Sequence, residues 1–307
     1  MQNVSGQLKP TSSTTRTIEM NSKFTIENPM PPVWIMYPNI SQYSIGWRMG
    51  YGEGYKWDLG DWFEKLTEEE QNKYQEMFPN PIFWREYYNE DYDFEDIEDF
   101  ECEHVQLWSK NGKMKYSIDT IINNDKNQEF LFFWKPSANT TDKSCLGQWQ
   151  PSYFEVDIDK YTCTEQYMMA EKARLFEDKE IEEQIMQTSD PKEMKALGKK
   201  VKNFDQAVWD KAKYSIVLNG NYYKFAQNKE MRDFLLSTED KILVEASPLD
   251  TIWGIGLGEE NPKAHNPQTW RGKNLLGFAL MEVRDELKKV YKNYDKINWE
   301  QLKKYTK

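Results

Sequence analysis

Twelve tryptophans, eighteen tyrosines and fifteen phenylalanines in 307 residues are too much ring surface to leave in water, so the chain must build cores around large aromatics. Six of the tryptophans (Trp34, Trp47, Trp57, Trp62, Trp84, Trp108) fall within residues 21–130, among Pro/Asn turn segments such as NPMPP and MFPNP. That density predicts a small aromatic-cored α+β module over residues 21–129, behind a flexible Ser/Thr-rich tail over residues 1–20. One helix is expected inside it, because Thr67-Glu68-Glu69-Glu70 is a capping-box pattern placed before residues 71–77. Residues 90–103 then hold nine carboxylates and read as a solvated loop or face, able to repel or mimic nucleic acid. Beyond them, VQLW and KYSIDTII flank Lys110-Asn111-Gly112-Lys113, which predicts a β-hairpin over residues 104–122.

From residue 130 onward the pattern becomes helical, so the fold class expected is mainly α with a short β element. Helices are predicted over residues 164–176 with Thr164 as cap, 191–201 opened by Asp190-Pro191, 205–223, 229–236 and 275–291. Residues 241–247, KILVEAS, read as a short strand. Residues 293–307 are expected to be a C-terminal tail.

Charge and cysteine usage exclude several functions. Lys plus Arg number 40 against 51 Asp plus Glu, a net charge of −11, so the chain is no generic wrapper of nucleic acid and any basic site must be local. Cys102, Cys145 and Cys163 form no CxxC pair, which points to reduced thiols in an intracellular compartment, cytoplasmic or nuclear. With only His104 and His265, a His-rich metal site is excluded, and neither metal nor cofactor is expected. No run of 18 apolar residues predicts a membrane span. Walker A, GxSxG, HExxH and Cys–His pairs are missing as well.

Four constellations can carry chemistry. Glu165 and Lys172 lie seven residues apart, about 700° around a helix and roughly 10 Å along it, so they point to one side at a spacing suited to flanking a substrate. Met169 between them would desolvate the carboxylate and raise its pKa; alternatively both charges are ordinary surface groups. Asp250 precedes Trp253-Gly254-Ile255-Gly256, where glycines let backbone N–H groups approach a phosphate or ribose, unless the segment is a plain turn. Arg271 and Lys273, with Asn274, precede the last helix and suit phosphate at its N-terminus, or simply cap it. Trp209, in a lysine-rich helix, is either a core residue or a base-stacking platform.

In this order the motifs resemble the YbiA-like, or NADAR, family of N-glycosidases. The resemblance covers residues 130–290. It runs through residues 132–134, Gly147-Gln148-Trp149, Pro151-Ser152, residues 161–173, Leu197-Gly198, Trp209, Asn219-Gly220-Asn221, residues 243–247, residues 250–256 and Asn274-Leu275-Leu276-Gly277. It implies a YbiA-like helical catalytic domain over residues 130–292 and hydrolysis of the N-glycosidic bond between a ribose and a base. Two substrates follow from the family: ADP-ribose on guanine in nucleic acid, and ribosylamino-pyrimidine phosphates of the riboflavin pathway. A non-catalytic ADP-ribose-binding module is the rival reading, and no stable protein partner is expected. Carried over by motif, Glu165, Lys172 and Asp250 are the catalytic candidates. Glu165 would serve as acid/base and Lys172 as a phosphate partner or Schiff-base amine. Trp149, Gln166, Met169, Trp209, Trp253, Gly254, Gly256, Arg271, Lys273 and Asn274 would bind substrate. Gln166 and Ile255 replace the His and Asp of riboflavin-pathway relatives, and so favour the ADP-ribosyl branch.

Overall fold

The computed structural model describes residues 24–85, 87–88, 105, 108, 113–124, 128–139 and 141–306, so the acidic run, and residues 106–107 and 109–112 of the expected hairpin, lie outside the described residues. The chain forms two compact units, Met1–Asn80 with Val290–Lys307, and Pro81–Lys289.

In the first unit, helices α1 (Val33–Met36), α2 (Gly46–Met49), α3 (Gly52–Phe63) and α4 (Glu68–Met77) pack around aromatic rings. Helix α4 starts as its capping box requires: the Thr67 hydroxyl accepts from Glu70 N at 3.3 Å, and Glu70 accepts from Thr67 N at 2.9 Å. Helix α3 forms despite three glycines, because Tyr55, Leu59 and Trp62 share one buried stripe whose burial outweighs the propensity cost. The rings bury their polar tips on backbone carbonyls: Trp62 Nε1 donates to Phe24 O at 3.1 Å, Tyr74 to Met30 O at 2.9 Å, and Tyr55 to Pro31 O. The described residues of this unit carry one isolated bridge, Thr25 with Asn28, and no strand. Nor are residues 293–306 a free tail. Asn293 donates to Met77 O at 2.8 Å, and Tyr37 donates to Tyr305 O at 3.0 Å.

The second unit begins earlier than the change in composition suggests. The Phe83 ring lies tilted 4.9 and 5.1 Å from the rings of Tyr222 and Tyr223, and Trp108 Nε1 donates to Asn219 Oδ1 at 2.8 Å, so these two side chains pack on a helix of the second unit. Its entry and exit meet, because Ile82 N donates to Glu286 Oε1 at 2.8 Å. Where the second arm of a hairpin was expected, residues 118–122 form helix α5 (Ile118–Ile122). Ser117 and Thr120 cap it reciprocally, a local hydrogen-bond solution that overrides the β-branched composition.

Strand β1 (Phe130–Phe133), hairpin strands β2 (Phe154–Val156) and β3 (Asp159–Tyr161), and β4 (Ile242–Glu245) supply the β structure. Strand β1 runs parallel to β4, with Phe133 opposite Glu245, and β2 pairs antiparallel with β3. The helices are α6 (Thr164–Leu175), α7 (Lys179–Gln187), α8 (Pro191–Gly198), α9 (Gln206–Gln227), α10 (Lys229–Ser237) and α11 (Leu275–Val290). Asp178, Asp190 and Asp205 cap α7, α8 and α9 through their side chains. The N-cap of α6 is Cys163 rather than Thr164, with no side-chain cap bond. Helix α6 is buried on nearly every side, packed by α7, α8 and α9. Its last turn is fixed by Arg174, which bonds Glu171 and Glu182 at 2.6 Å, Tyr161 at 2.8 Å and Asp159 at 2.9 Å.

Helix α11 lies so close to β4 that a Cβ on Gly277 would stand 2.1 Å from Leu243 O and 2.5 Å from the Asn274 amide. The contact is to backbone and cannot swing aside, so Gly277→Ala is expected to cost about 1–3 kcal/mol of unfolding free energy, read by chemical denaturation.

Candidate active site

A cavity of about 480 Å³ is lined by residues that follow or end the two parallel strands: Trp134, Lys135 and Pro136 after β1, and Glu245 and Ser247 at the end of β4. Open α/β sheets bind ligands at such carboxyl ends. The loop 249–253 adds Leu249, Asp250 and Trp253, helix α8 adds Lys195, and the segment before β2 adds Gln148 and Trp149. Glu165, in the first turn of α6, completes the lining.

Glu165 is 1% exposed, and its Oε1 has no hydrogen-bond partner. A helix N-terminus favours a carboxylate, and both Lys195 and a side-chain hydrogen bond from Trp149 pull in the same direction. Burial outweighs them. It is the largest influence, Asp250 adds to it, and the carboxyl is pushed up to about 7. Glu245 has the same character: burial first, then the charge of Asp250, raise it to about 8, and its Oε2 is also buried without a partner.

The frame around these groups is rigid. Glu245 N donates to Asn274 Oδ1 at 3.0 Å while Asn274 Nδ2 donates to Leu243 O at 2.9 Å, so one side chain, at a positive φ of 54°, ties the start of α11 to β4. Ile255 N donates to Glu245 O at 2.9 Å, and a Cβ on Gly254 would stand 2.8 Å from that same oxygen. Asp250 Oδ1 accepts from Ile252 N at 2.9 Å and Trp253 N at 2.8 Å, which folds the loop back, and its Oδ2 lies 3.7 Å from Lys195 Nζ. The fully buried Lys224 donates to Gly147 O at 3.1 Å, two residues before Trp149, and burial holds its amine down to about 8.

Of the residues singled out from the sequence, Glu165, Asp250, Trp149 and Trp253 line the cavity. The others stand elsewhere. Lys172 donates to Gly198 O at 2.8 Å and is covered by the rings of Phe204 and Trp209, 4.3 and 5.3 Å away. Burial lowers its pKa. Trp209 therefore works as a lid on Lys172. Met169 fills the space over Gly198, where a Cβ would meet its sulfur at 2.1 Å. Gln166 is a buried bracket: its Oε1 accepts from Thr162 N at 2.7 Å and its Nε2 donates to Ile185 O and Thr188 O at 3.0 Å. Gly256, at φ +67°, turns the loop. Arg271 and Lys273 are exposed, and their backbone N–H groups fasten the loop to Ile255 O and Thr251 O, both at 3.0 Å. The cations that do line the cavity are Lys135 and Lys195.

Trp134 and Glu245 stood inside quoted motifs without being singled out, and a strand ending in a lone carboxylate was the available signal. Lys195 carried none, because nothing in a lysine on an amphipathic helix tells which neighbour it faces. Among the described residues no three His, Cys, Asp or Glu side chains converge as a metal site.

A raised carboxyl leaves a signature in stability. Folded Glu165 binds its proton up to about 7, against an ordinary 4.5 in the unfolded chain, so the wild type loses stability as pH rises through that interval. Glu165→Gln should therefore match the wild type near pH 4.5 and exceed it by about 3 kcal/mol above pH 7, read from denaturation at the two pH values.

Residues 132–288 match the NADAR domain. The chain is 41% identical over 163 residues to N-glycosidase R617 of Acanthamoeba polyphaga mimivirus, covering 52% of this chain and 96% of that protein. It is 40% identical over 182 residues to Protein irg-1 of Caenorhabditis elegans, covering 54% and 83%. With N-glycosidase YbiA of Escherichia coli (strain K12) it shares 30% identity over 169 residues, 55% of this chain and 89% of that one. The matched stretch contains every residue that lines the cavity. The chain belongs to the NADAR family.

Proposed function

We propose that the protein is an N-glycosidase that hydrolyses the bond between a ribose and a nucleobase, and that its substrate is ADP-ribose carried on guanine in nucleic acid. The observation that carries the reading is Glu165, a wholly buried carboxyl with a free oxygen at a cavity, raised to about 7, where it can exchange protons at neutral pH. Two of the similar proteins described above carry the name N-glycosidase.

Cleaving a C1′–N bond builds positive charge on the ribose and negative charge on the departing base. Asp250 suits the first. Trp134, Trp149 and Trp253 offer faces for a base, and Lys135 and Lys195 offer charge for a pyrophosphate. A site that takes one small anionic group fits a body whose net charge is −11, because only the ligand's own phosphates need matching. Within the family, Gln166 and Ile255 support the ADP-ribosyl branch over the riboflavin branch. Lys172 holds the end of α8 and hence the helix that carries Lys195; borohydride trapping with substrate is expected to leave Lys172 unmodified.

The test is a parallel incubation with ADP-ribosylated guanine oligonucleotides and with ribosylamino-pyrimidine phosphate, measuring released ADP-ribose or ribose 5-phosphate. Release from the oligonucleotide is expected, and Glu165→Gln should lower it by about 10²–10⁴-fold while binding persists. Release only from the pyrimidine would shift the substrate to the second branch. Binding without turnover would make the protein a reader.

A further inference from the structure

We propose that Glu245 is the general acid of this site and Glu165 its partner base, an assignment that rests on the N-glycosidase reading above. Glu245 gives its proton to the base nitrogen as that nitrogen takes the electron pair of the breaking C1′–N bond. Glu165 takes a proton from the water whose oxygen bonds to C1′. The products are the free base and the ribose hemiacetal, and proton exchange with solvent through the open cavity returns both carboxyls to their starting states.

Three observations support the division of roles. Both carboxyls line one cavity, and each has a buried oxygen with no partner in the protein: Oε1 of Glu165 and Oε2 of Glu245. Each has an atom left for a ligand. They also stand on different elements, the first turn of a twelve-residue helix and the last residue of a strand. The helix end, Lys195 and the Trp149 hydrogen bond favour Glu165 as the anion. Glu245 sits on a strand with no such terminus, and its own backbone N–H and C=O are already used by Asn274 and Ile255. The charges facing it are those of Asp250 and Glu165, which raise it, and Lys195, which lowers it; Lys135 lines the same cavity, and the residue opposite on β1 is the apolar Phe133. In the pair, the helix end and the Trp149 hydrogen bond make Glu165 the group that gives up its proton, and Glu245, which has neither, the group that keeps it. The clamp of Asn274 and the close approach of Gly254 hold the Glu245 backbone in place, as a proton donor at a fixed nitrogen requires.

The experiment is the pH dependence of kcat/KM on whichever ribosylated base the wild type cleaves, compared with Glu245→Gln, Glu245→Asp and Glu165→Gln. The wild type should rise through about 7 and fall through about 8. Glu245→Gln should lose the alkaline fall and at least about 100-fold of kcat with little change in KM, and Glu245→Asp should restore the fall. Glu165→Gln should lose the acidic rise instead. An alkaline limb that survives in Glu245→Gln, full turnover by that variant, or loss of the acidic limb in it would overturn the assignment and leave the N-glycosidase reading standing. If Glu245→Gln does not fold, the Asp variant decides: an alkaline limb that does not move with the shortened carboxyl excludes Glu245 as the acid. A wild type that cleaves neither substrate fails the underlying reading instead.

Discussion

Helix α6 is enclosed by protein on almost every side, and most of the second unit is arranged to make that enclosure affordable for a polar sequence. Its interior polar groups are matched one by one. Gln166 spends both ends of its amide on backbone of the β3–α6 turn and α7, and Glu171 is held by Arg174, whose remaining donors reach Glu182, Asp159 and Tyr161. Against that background of satisfied groups, the free oxygen of Glu165 is the exception. A buried carboxyl with one oxygen unpartnered opposes folding unless it stays protonated, and the fold tolerates this only where a cavity gives the oxygen something else to meet.

Much of this was legible in the sequence because it was written in local chemistry. The capping box at Thr67, the Asp190-Pro191 start and the Asp205 cap each determine a helix from three or four residues, and KILVEAS contains strand β4. What failed was governed by distant neighbours. Helix α3 contains Gly52, Gly54 and Gly60, and only the burial of Tyr55, Leu59 and Trp62 makes it a helix. The sequence KYSIDTII looked like a strand until Ser117 and Thr120 closed a cap. Strand β1 was hidden because its partner, β4, lies more than a hundred residues away and the pair is parallel, a match no local pattern announces.

The candidate site divides along the same line. Glu165 was found from its motif, and Asp250, Trp149 and Trp253 with it. The pairing with Lys172 rested on helical rotation, which says that two side chains leave a helix in the same direction but not what stands in front of each. Gly198, Phe204 and Trp209 stand in front of Lys172. Arg271 and Lys273 looked like phosphate ligands because they precede a helix, yet it is their backbones that the loop uses. The cations that reach the cavity, Lys135 and Lys195, come from a strand end and a surface helix that are brought together only by the fold.

The hydrogen bond between Ile82 and Glu286 makes the second unit an insertion whose two ends are pinned side by side. The first unit is assembled from both ends of the chain, and closing a random loop of about 200 residues to form it would cost about 5 kcal/mol of chain entropy. Once the inserted unit has folded, its ends are already neighbours and most of that cost has been met. Assembly is thus ordered: the inserted unit can complete itself during synthesis, while the aromatic unit must wait for residues 290–307 to emerge. Until then Tyr37 and Met77 lack the Tyr305 and Asn293 contacts that close the aromatic core.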